Sequence, residues 1–393
     1  MKYYIAFLYF LFDRTVGAYI FHSELVVPVY VAFSQIFTVV VLLQYLSLLS
    51  KYSLNKLNLK LLLAVLIIII SLFISNLINY ESFYYLGQQI YPMIGMGSLI
   101  CIYCSSIDSL KIFIKTIANV YFAMALVHFM FLIFAPHFFG TISSTNEGEL
   151  YFLGIENQVG YPLLMGLFFN LLEYYFTKNR KRIIIYALMH ILCSFIVFSG
   201  TTISSVVVLY ILLLPNPISI IIKKLSLKRI LICATILFVF IFFMFNLEQI
   251  LQSSVISQII EDGLHKNTTL SSRTLIWDIV IKAFWASPFW GYGVGETINI
   301  FFLNGGYLSA HNTILQYLFW GGIMFFISII PMVYMVSFLL EKVEPSFASI
   351  FKCTIFSMLI AFMGEAVSFF FVIIIMLIGG VASNTLVNNK SQK

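Results

Sequence analysis

Residues 60–78 read KLLLAVLIIIISLFISNLI, and this run decides the fold class. A helix needs roughly 20 mostly apolar residues to cross the hydrocarbon core of a bilayer, and this run has that length. Similar runs recur throughout the 393 residues, which are 61% hydrophobic and only 10% charged. Because a soluble domain has about a quarter charged residues, the composition excludes a soluble globular protein and predicts an integral membrane protein.

The apolar runs predict an all-α integral membrane protein with about 12 transmembrane helices in a single polytopic domain, residues 1–393. We place the spans near residues 3–21, 26–49, 60–78, 84–104, 112–135, 157–176, 182–199, 203–222, 230–246, 313–339, 347–363 and 368–387.

The lysines and arginines alternate with these spans in a regular way. In this arrangement, all of them lie on one side of the membrane except Arg14, Lys266, Arg273 and Lys282. Basic residues favour the cytoplasmic side, so both termini are expected in the cytoplasm. The protein is expected to be a multi-pass protein of the cytoplasmic membrane. The net charge of +6 then reflects topology, and no nucleic-acid partner is expected.

Two predicted external segments are longer than the other external loops. Residues 136–156 form a short acidic one, and residues 247–312 form a large one that we expect to contain short helices. A protein that keeps most loops minimal and enlarges one has reason to place its function there. We therefore expect the active or binding site in 247–312, facing outward.

The five cysteines give little support to metal or redox chemistry. Cys101 and Cys104 form a CxxC, but no second pair and no nearby histidine completes a zinc set. We expect all five to be small packing residues within or beside the apolar segments.

The large loop contains residues 271–296, SSRTLIWDIVIKAFWASPFWGYGVGE. Apolar residues at helical spacing predict a helix over 271–286 that lies along the outer membrane surface and ends before Pro288. Ser271 or Ser272 would be its N-cap. Its predicted apolar face is Leu275, Ile276, Ile279, Val280 and Phe284, with Arg273, Trp277 and Ile281 on another face.

Glycines 291, 293 and 295 follow this helix. They do not form a dinucleotide-binding motif, because no strand precedes them and no βαβ unit surrounds them. They are expected to let the backbone approach a ligand or a neighbouring helix closely.

His311 and Asn312 lie at the mouth of the tenth predicted span, and Gln316 lies one turn deeper. Polar side chains at a helix N-terminus can hold an anion or a sugar hydroxyl. A histidine at a membrane interface is nevertheless often structural, and Trp277, Trp285, Trp290 and Trp320 fit simple interface residues. Spacing alone therefore leaves the function open.

The order of these elements resembles the O-antigen ligase and polymerase superfamily. The resemblance consists of an Arg-x-x-x-Trp helix, a Pro-x-x-Gly-x-Gly-x-Gly loop and a His-Asn-x-x-Leu-Gln segment followed by glycine. In this chain the matching residues are Arg273, Trp277, Pro288, Gly291, Gly293, Gly295, His311, Asn312, Leu315, Gln316 and Gly322. Two weaker matches depart from the family pattern: Thr201 and Thr202 stand where an arginine is frequent, and Glu156-Asn157 resembles a Pro-Asn turn.

The resemblance implies glycosyl transfer on the outer membrane face. The donor would be an oligosaccharide on undecaprenyl pyrophosphate. The acceptor would be a second lipid-linked repeat unit for a polymerase, or lipid A–core for a ligase. A flippase and a chain-length regulator are possible protein partners, and we expect no cofactor and no metal. We favour the polymerase of an O-antigen, capsule or exopolysaccharide. The protein is rich in Phe, Ile, Asn and Lys, as an AT-rich gene would encode, and such genes are frequent in surface-polysaccharide clusters.

The resemblance also implies roles for individual residues. Arg273 would stabilise the leaving pyrophosphate and His311 would accept the proton of the attacking hydroxyl. Alternatively, His311 donates to the pyrophosphate and Glu296 or Glu156 is the base. Substrate binding is assigned to Asn312, Gln316, Trp277, Gly293 and Glu296, and Tyr292 is a further candidate for stacking on a sugar.

A transporter or flippase is the alternative from another class. Transporters usually carry ionisable residues or broken helices at repeat-related positions in the middle of the membrane. Here no internal repeat is found, and the charges within or near the spans are sparse: Asp13, Arg14, Glu173 and Glu365.

Overall fold

The computed structural model describes residues 1–12, 26–51, 56–136, 138–139, 150–239, 273–295, 309–366 and 368–391. This part of the chain is almost entirely helical. Its helices are α1 (Lys2–Phe12), α2 (Val26–Lys51), α3 (Lys56–Ile78), α4 (Phe83–Tyr103), α5 (Ile107–Phe134), α6 (Gly160–Thr177), α7 (Arg180–Val197), α8 (Gly200–Leu213), α9 (Pro217–Lys224), α10 (Leu227–Val239), α11 (Arg273–Ala286), α12 (Thr313–Leu340), α13 (Pro345–Phe362) and α14 (Phe370–Ser391).

A short antiparallel hairpin is the only other regular element besides a 3-10 turn in the described ranges. Strand β1 (Leu150–Tyr151) pairs with β2 (Gly154–Ile155), with Leu150 opposite Ile155. The 3-10 turn Glu156–Gln158 follows β2 directly and leads into α6.

Six helices in the described part of the chain are long and apolar enough to cross a membrane, or seven if one bent pair counts as a span. These six are Val29–Leu49, Lys56–Ile78, Ile107–Phe134, Thr313–Leu340, Pro345–Phe362 and Phe370–Asn389. The class of a multi-pass helical membrane protein is therefore confirmed, but the predicted 12 spans are not.

Several predicted spans exist as helices that are shorter or more polar than a full span. The first predicted span is described only as α1, of 11 residues, and α6 and α7 have 18 residues each. The predicted span 203–222 is instead two helices, because α8 and α9 meet at a bend of 82°.

The bend has a local cause in the sequence Pro215-Asn216-Pro217. Proline interrupts a helix, whereas it is well accepted at a helix start. Asn216 caps α9 by accepting the Ser219 N–H at 2.8 Å, and the Ser219 hydroxyl accepts the Asn216 N–H at 3.2 Å. This capping box starts a new helix where hydropathy alone predicted a continuous one.

Helix α14 is the centre of the bundle. Every residue from Phe369 to Ile378 is buried, and α14 packs against α3, α4, α12 and α13. A helix that is apolar on all sides is expected inside a protein or a membrane, and α14 satisfies this by lying within the other helices.

Four of the five cysteines are buried as expected, and Cys233 on α10 is exposed. The histidines His128 and His190 are completely buried, in α5 and α7. No motif in the sequence supports a functional role for either histidine, and their burial agrees with a structural role.

The functional motif lies at one end of the bundle, which we call the motif end. Helix α12 begins there, and α3 and α13 end there. The start of α6 lies there too, since the Tyr161 hydroxyl donates to the Ala361 carbonyl at 3.0 Å. The start of α8 is adjacent, with Thr202 packed tightly against Gly160.

Candidate functional site

Helix α11 confirms the helix that the spacing predicted for this region. The predicted residues Ile276, Val280 and Phe284 are buried on one face. Trp277 lies on this face as well, only 7% exposed, and not on the separate face that the sequence suggested. The buried face packs against Leu315, Leu318 and Phe319 of α12, so its partner is protein and not only the membrane surface.

Two of the predicted site residues are described incompletely or not at all. Arg273 is described through its backbone, as the first residue of α11. Glu296, and the N-cap candidates Ser271 and Ser272, lie outside the described residues.

Helix α12 is broken near its beginning, and the segment after α11 fills the break. Gly322 has φ 58° and ψ −160°, a conformation that only glycine adopts readily. The N–H groups of Ile323 and Met324 donate to the carbonyls of Pro288 and Phe289, at 2.9 and 3.1 Å. In return, the Phe319 and Trp320 carbonyls accept the N–H groups of Tyr292 and Gly293, at 2.8 and 2.9 Å.

These four hydrogen bonds replace the bonds that the break removes from α12. Irregular backbone is tolerated at membrane depth only where protein or water satisfies its polar groups. The Pro-x-x-Gly-x-Gly loop therefore acts as a structural insert that lets α12 start in one direction and continue in another.

Three polar residues at the end of α3 hold the same loop. The Ser75 hydroxyl contacts the Trp290 and Trp320 carbonyls, at 2.5 and 2.6 Å. Asn76 makes two bonds with the backbone of Val294, at 2.7 and 3.0 Å, and Asn79 donates to the Gly291 carbonyl at 3.1 Å. Sequence reasoning assigned these residues no role, although Ser-Asn-x-x-Asn stands out at the end of an apolar run.

Gly293 is enclosed by protein. Its φ is 91°, and a Cβ at this position would lie 2.6 Å from the Cγ of Glu81. The sequence predicted that these glycines let the backbone approach a ligand or a neighbouring helix, and at Gly293 the structure shows close approach to protein. Tyr292 is similarly engaged: its ring stacks on Phe319, and its hydroxyl donates to the Ala283 carbonyl at 3.1 Å. Burial raises the pKa of Tyr292, so the phenol remains a neutral donor.

His311 is paired with Glu365, a residue that the sequence placed near a span end but did not assign to the site. Nδ1 of His311 lies 3.4 Å from Oε2 of Glu365. The glutamate is 4% exposed as a residue, whereas the His311 side chain is 21% exposed. A carboxylate at Nδ1 fixes the ring orientation and favours the tautomer with Nε2 free to accept a proton.

Thr313 strengthens this pairing through the backbone. Its hydroxyl donates to the Glu365 carbonyl at 2.7 Å, so the start of α12 is joined to the segment after α13. His311 and Glu365 are 54 residues apart in the chain, and this packing brings them together.

Asn312 is the N-cap of α12 and is completely buried. Its side-chain oxygen accepts the N–H groups of Ile314 and Leu315, at 3.0 and 3.1 Å, and its amide donates to the Met363 carbonyl at 3.3 Å. The Gln316 N–H is bonded to the Asn312 carbonyl at 2.9 Å. The first turn of α12 is thus satisfied from within the protein.

Gln316 is 2% exposed and reaches back toward His311. Its side-chain oxygen accepts the Ala310 N–H at 2.7 Å, while its Nε2 has no hydrogen-bond partner among the described residues. Trp277 also contacts Ala310, because its indole N–H donates to the Ala310 carbonyl at 2.9 Å.

Glu156, the alternative base, starts the 3-10 turn that packs against the beginnings of α6 and α8. This places Glu156 at the motif end. A narrow cleft in the same region is lined by Gly160, Tyr161, Leu164, Thr202, Ser205 and Ala361. Within the described ranges, no three His, Cys, Asp or Glu side chains are grouped as a metal site would need.

Comparison with known protein families matches residues 158–330 to the family described as O-antigen ligase. The matched region runs from the turn before α6 into the second part of α12, so it includes α11, the glycine loop and His311. This match places residues 158–330 in the O-antigen ligase/polymerase superfamily, whose members are glycosyltransferase-like enzymes acting on lipid-linked oligosaccharides in the membrane. No curated protein matches the chain.

Proposed function

We propose that the protein polymerises lipid-linked oligosaccharide repeat units, transferring a growing glycan from undecaprenyl pyrophosphate to a sugar hydroxyl of the next unit. The observation that carries this proposal is the His311–Glu365 pair, 3.4 Å apart at the start of α12 within the motif region. A partly exposed imidazole backed by a buried carboxylate is suited to general-base chemistry on a hydroxyl.

In the proposed reaction, the acceptor hydroxyl oxygen forms a bond to the anomeric carbon of the donor sugar. The bond between that carbon and the pyrophosphate oxygen breaks, and the pyrophosphate leaves with the electron pair. The hydroxyl proton passes to Nε2 of His311, and Glu365 stabilises the imidazolium through Nδ1–H. The pyrophosphate is a good leaving group, so it needs charge stabilisation more than protonation.

Arg273 is proposed to supply that stabilisation. Its guanidinium carries a permanent charge and a planar set of donors that match phosphate oxygens. This role needs no metal and no cofactor. In the alternative assignment, His311 donates a hydrogen bond to the pyrophosphate and Glu156 or Glu296 is the base.

The proposed location is the outer face of the cytoplasmic membrane, with both termini in the cytoplasm. We propose one polytopic domain over 1–393, with 136–156 and 247–312 outside. The basic residues support this orientation, because Lys178 and Arg180 follow α6 and Lys342 follows α12, away from the motif end. A flippase would deliver the donor to this face, and a chain-length regulator would act on the same product.

A ligase is the second candidate, because the matching family is described as O-antigen ligase. It would transfer the same type of donor to lipid A–core instead of to another repeat unit. The chemistry at His311 would be unchanged, so the two candidates differ only in the acceptor.

The test uses the purified protein in lipid nanodiscs with undecaprenyl-pyrophosphate-linked repeat units and no other substrate. A ladder of products that disappears with His311→Ala is expected. A ladder that the variant retains would refute the assignment of the base. Product formed only after lipid A–core is added would establish a ligase, and no product in either reaction would contradict glycosyl transfer.

A further inference from the structure

Ala310, the residue before His311, has both its backbone N–H and its backbone carbonyl hydrogen-bonded to side chains. It is completely buried. Its N–H donates to Oε1 of Gln316 at 2.7 Å, and its carbonyl accepts the indole N–H of Trp277 at 2.9 Å. The two bonds come from different helices, since Gln316 is on α12 and Trp277 is on α11.

This arrangement bears directly on the backbone of His311. Its φ is 45°, in the left-handed region that a residue with a Cβ rarely adopts. Such a conformation persists only when the surrounding structure imposes it. On one side Ala310 is fixed by its two bonds, and on the other side Asn312 is fixed as the N-cap of α12.

The left-handed backbone in turn sets the direction of the imidazole. The His311 N–H donates to the Ser309 hydroxyl at 3.4 Å, and the ring reaches Glu365 through Nδ1. Trp277 and Gln316 are 7% and 2% exposed, so a sugar could reach either side chain only by displacing protein.

We propose that Trp277 and Gln316 are positioning residues for the glycosyl transfer, and that they act by holding Ala310 so that His311 keeps its contact with Glu365. This inference rests on the proposed function. It differs from the expectation from the sequence motif, which made both residues contacts of the sugar or the phosphate.

The test measures kcat and KM for Trp277→Phe and Gln316→Met. Each substitution removes one bond to Ala310 and keeps a side chain of similar size. We expect kcat to fall by about 10- to 100-fold, with KM within about twofold, because the catalytic group is misplaced while substrate contacts remain. Trp285→Phe is the matched control, since Trp285 lies on the same helix and is 64% exposed.

The double variant tests whether the two residues act through the same point. Because both bonds hold Ala310, losing both is expected to reduce kcat far less than the product of the single effects. In a His311→Ala background, neither substitution is expected to lower the residual rate further. A raised KM with normal kcat would show substrate contact and overturn the inference, as would fully multiplicative losses.

A structural readout separates this inference from the proposed function. Wild-type protein without activity would contradict the function but leave the geometry to be tested by cryo-electron microscopy. In the double variant, His311 is expected to leave its left-handed conformation and move away from Glu365. An unchanged His311–Glu365 distance in that map would overturn the inference whatever the activity assay shows.

Discussion

At the scale of single residues, the sequence identified one member of the His311–Glu365 pair, His311, but not the other. The motif spacing led to His311, because His-Asn at the start of a span is recognisable in one short segment. Glu365 lies 54 residues further on, after another helix, and only the packing of α13 beside α12 brings it to the imidazole. The position of Glu365 near a span end was the available signal, since a carboxylate that becomes buried there needs a partner.

The pair predicts a large effect of Glu365→Gln. The amide can donate a hydrogen bond to Nδ1 and so stabilise the tautomer in which Nε2 carries the proton and cannot act as a base. We expect kcat to fall by about 100-fold or more, with little change in KM, in the nanodisc assay.

Glu173→Gln is the matched control for this measurement. Glu173 is also buried, but it lies 3.6 Å from Arg182 in a separate cluster. Its loss should lower the unfolding temperature and leave kcat of the folded protein unchanged. If Glu365→Gln behaved in the same way, the carboxylate would have a structural role and not a catalytic one.

Arg273→Lys tests the proposed pyrophosphate contact. Lysine keeps the charge but lacks the planar fork of donors, so we expect kcat/KM to fall by about 10- to 100-fold. Lys282→Arg, at an exposed position on the same helix, should be neutral. Activity near the wild-type level in Arg273→Lys would reduce Arg273 to a general surface charge.

At the scale of elements, α11 and most long helices were predictable because apolar spacing and length determine them. The break in α12 was not, because it depends on four hydrogen bonds to a loop that precedes it by some 30 residues. The bend between α8 and α9 had a readable signal in Pro215-Asn216-Pro217, which the hydropathy average concealed. Asn312 likewise is a residue type that favours the N-cap position. Its burial depends on the end of α13, where its amide donates to the Met363 carbonyl.

Gly322→Ala tests the break in α12. A Cβ at this position would collide with the Phe289 carbonyl, and φ 58° with ψ −160° is strained for alanine. We expect a loss of stability of about 2 kcal/mol or more, measured as a lower unfolding temperature in detergent. Gly87→Ala is the control, because its Cβ would meet only the Tyr91 ring, at 3.3 Å, and alanine favours helix. Equal stability of the two variants would contradict the proposed importance of the break.

At the scale of the whole molecule, composition was sufficient for the class of protein, whereas the 12 spans stay a prediction. Hydropathy treats every apolar run as a separate crossing of the membrane. The run 203–222 shows the difficulty, because α8 is only 14 residues long and turns into α9 at 82°. An apolar run therefore reports burial, and tertiary structure decides whether that burial is in lipid or in protein.

The orientation of the bundle can be tested by labelling single cysteines introduced into a cysteine-free background. Basic residues favour the cytoplasmic side, and Arg180 at the start of α7 belongs to such a group, whereas α11 belongs to the motif end. We expect Lys282→Cys to react with a membrane-impermeant maleimide in intact cells, since this side chain is 74% exposed. Arg180→Cys should react only after the membrane is opened. Labelling of Arg180→Cys from outside, with Lys282→Cys protected, would place His311 in the cytoplasm, where a donor would need no flippase and the proposed reaction would be on the wrong face.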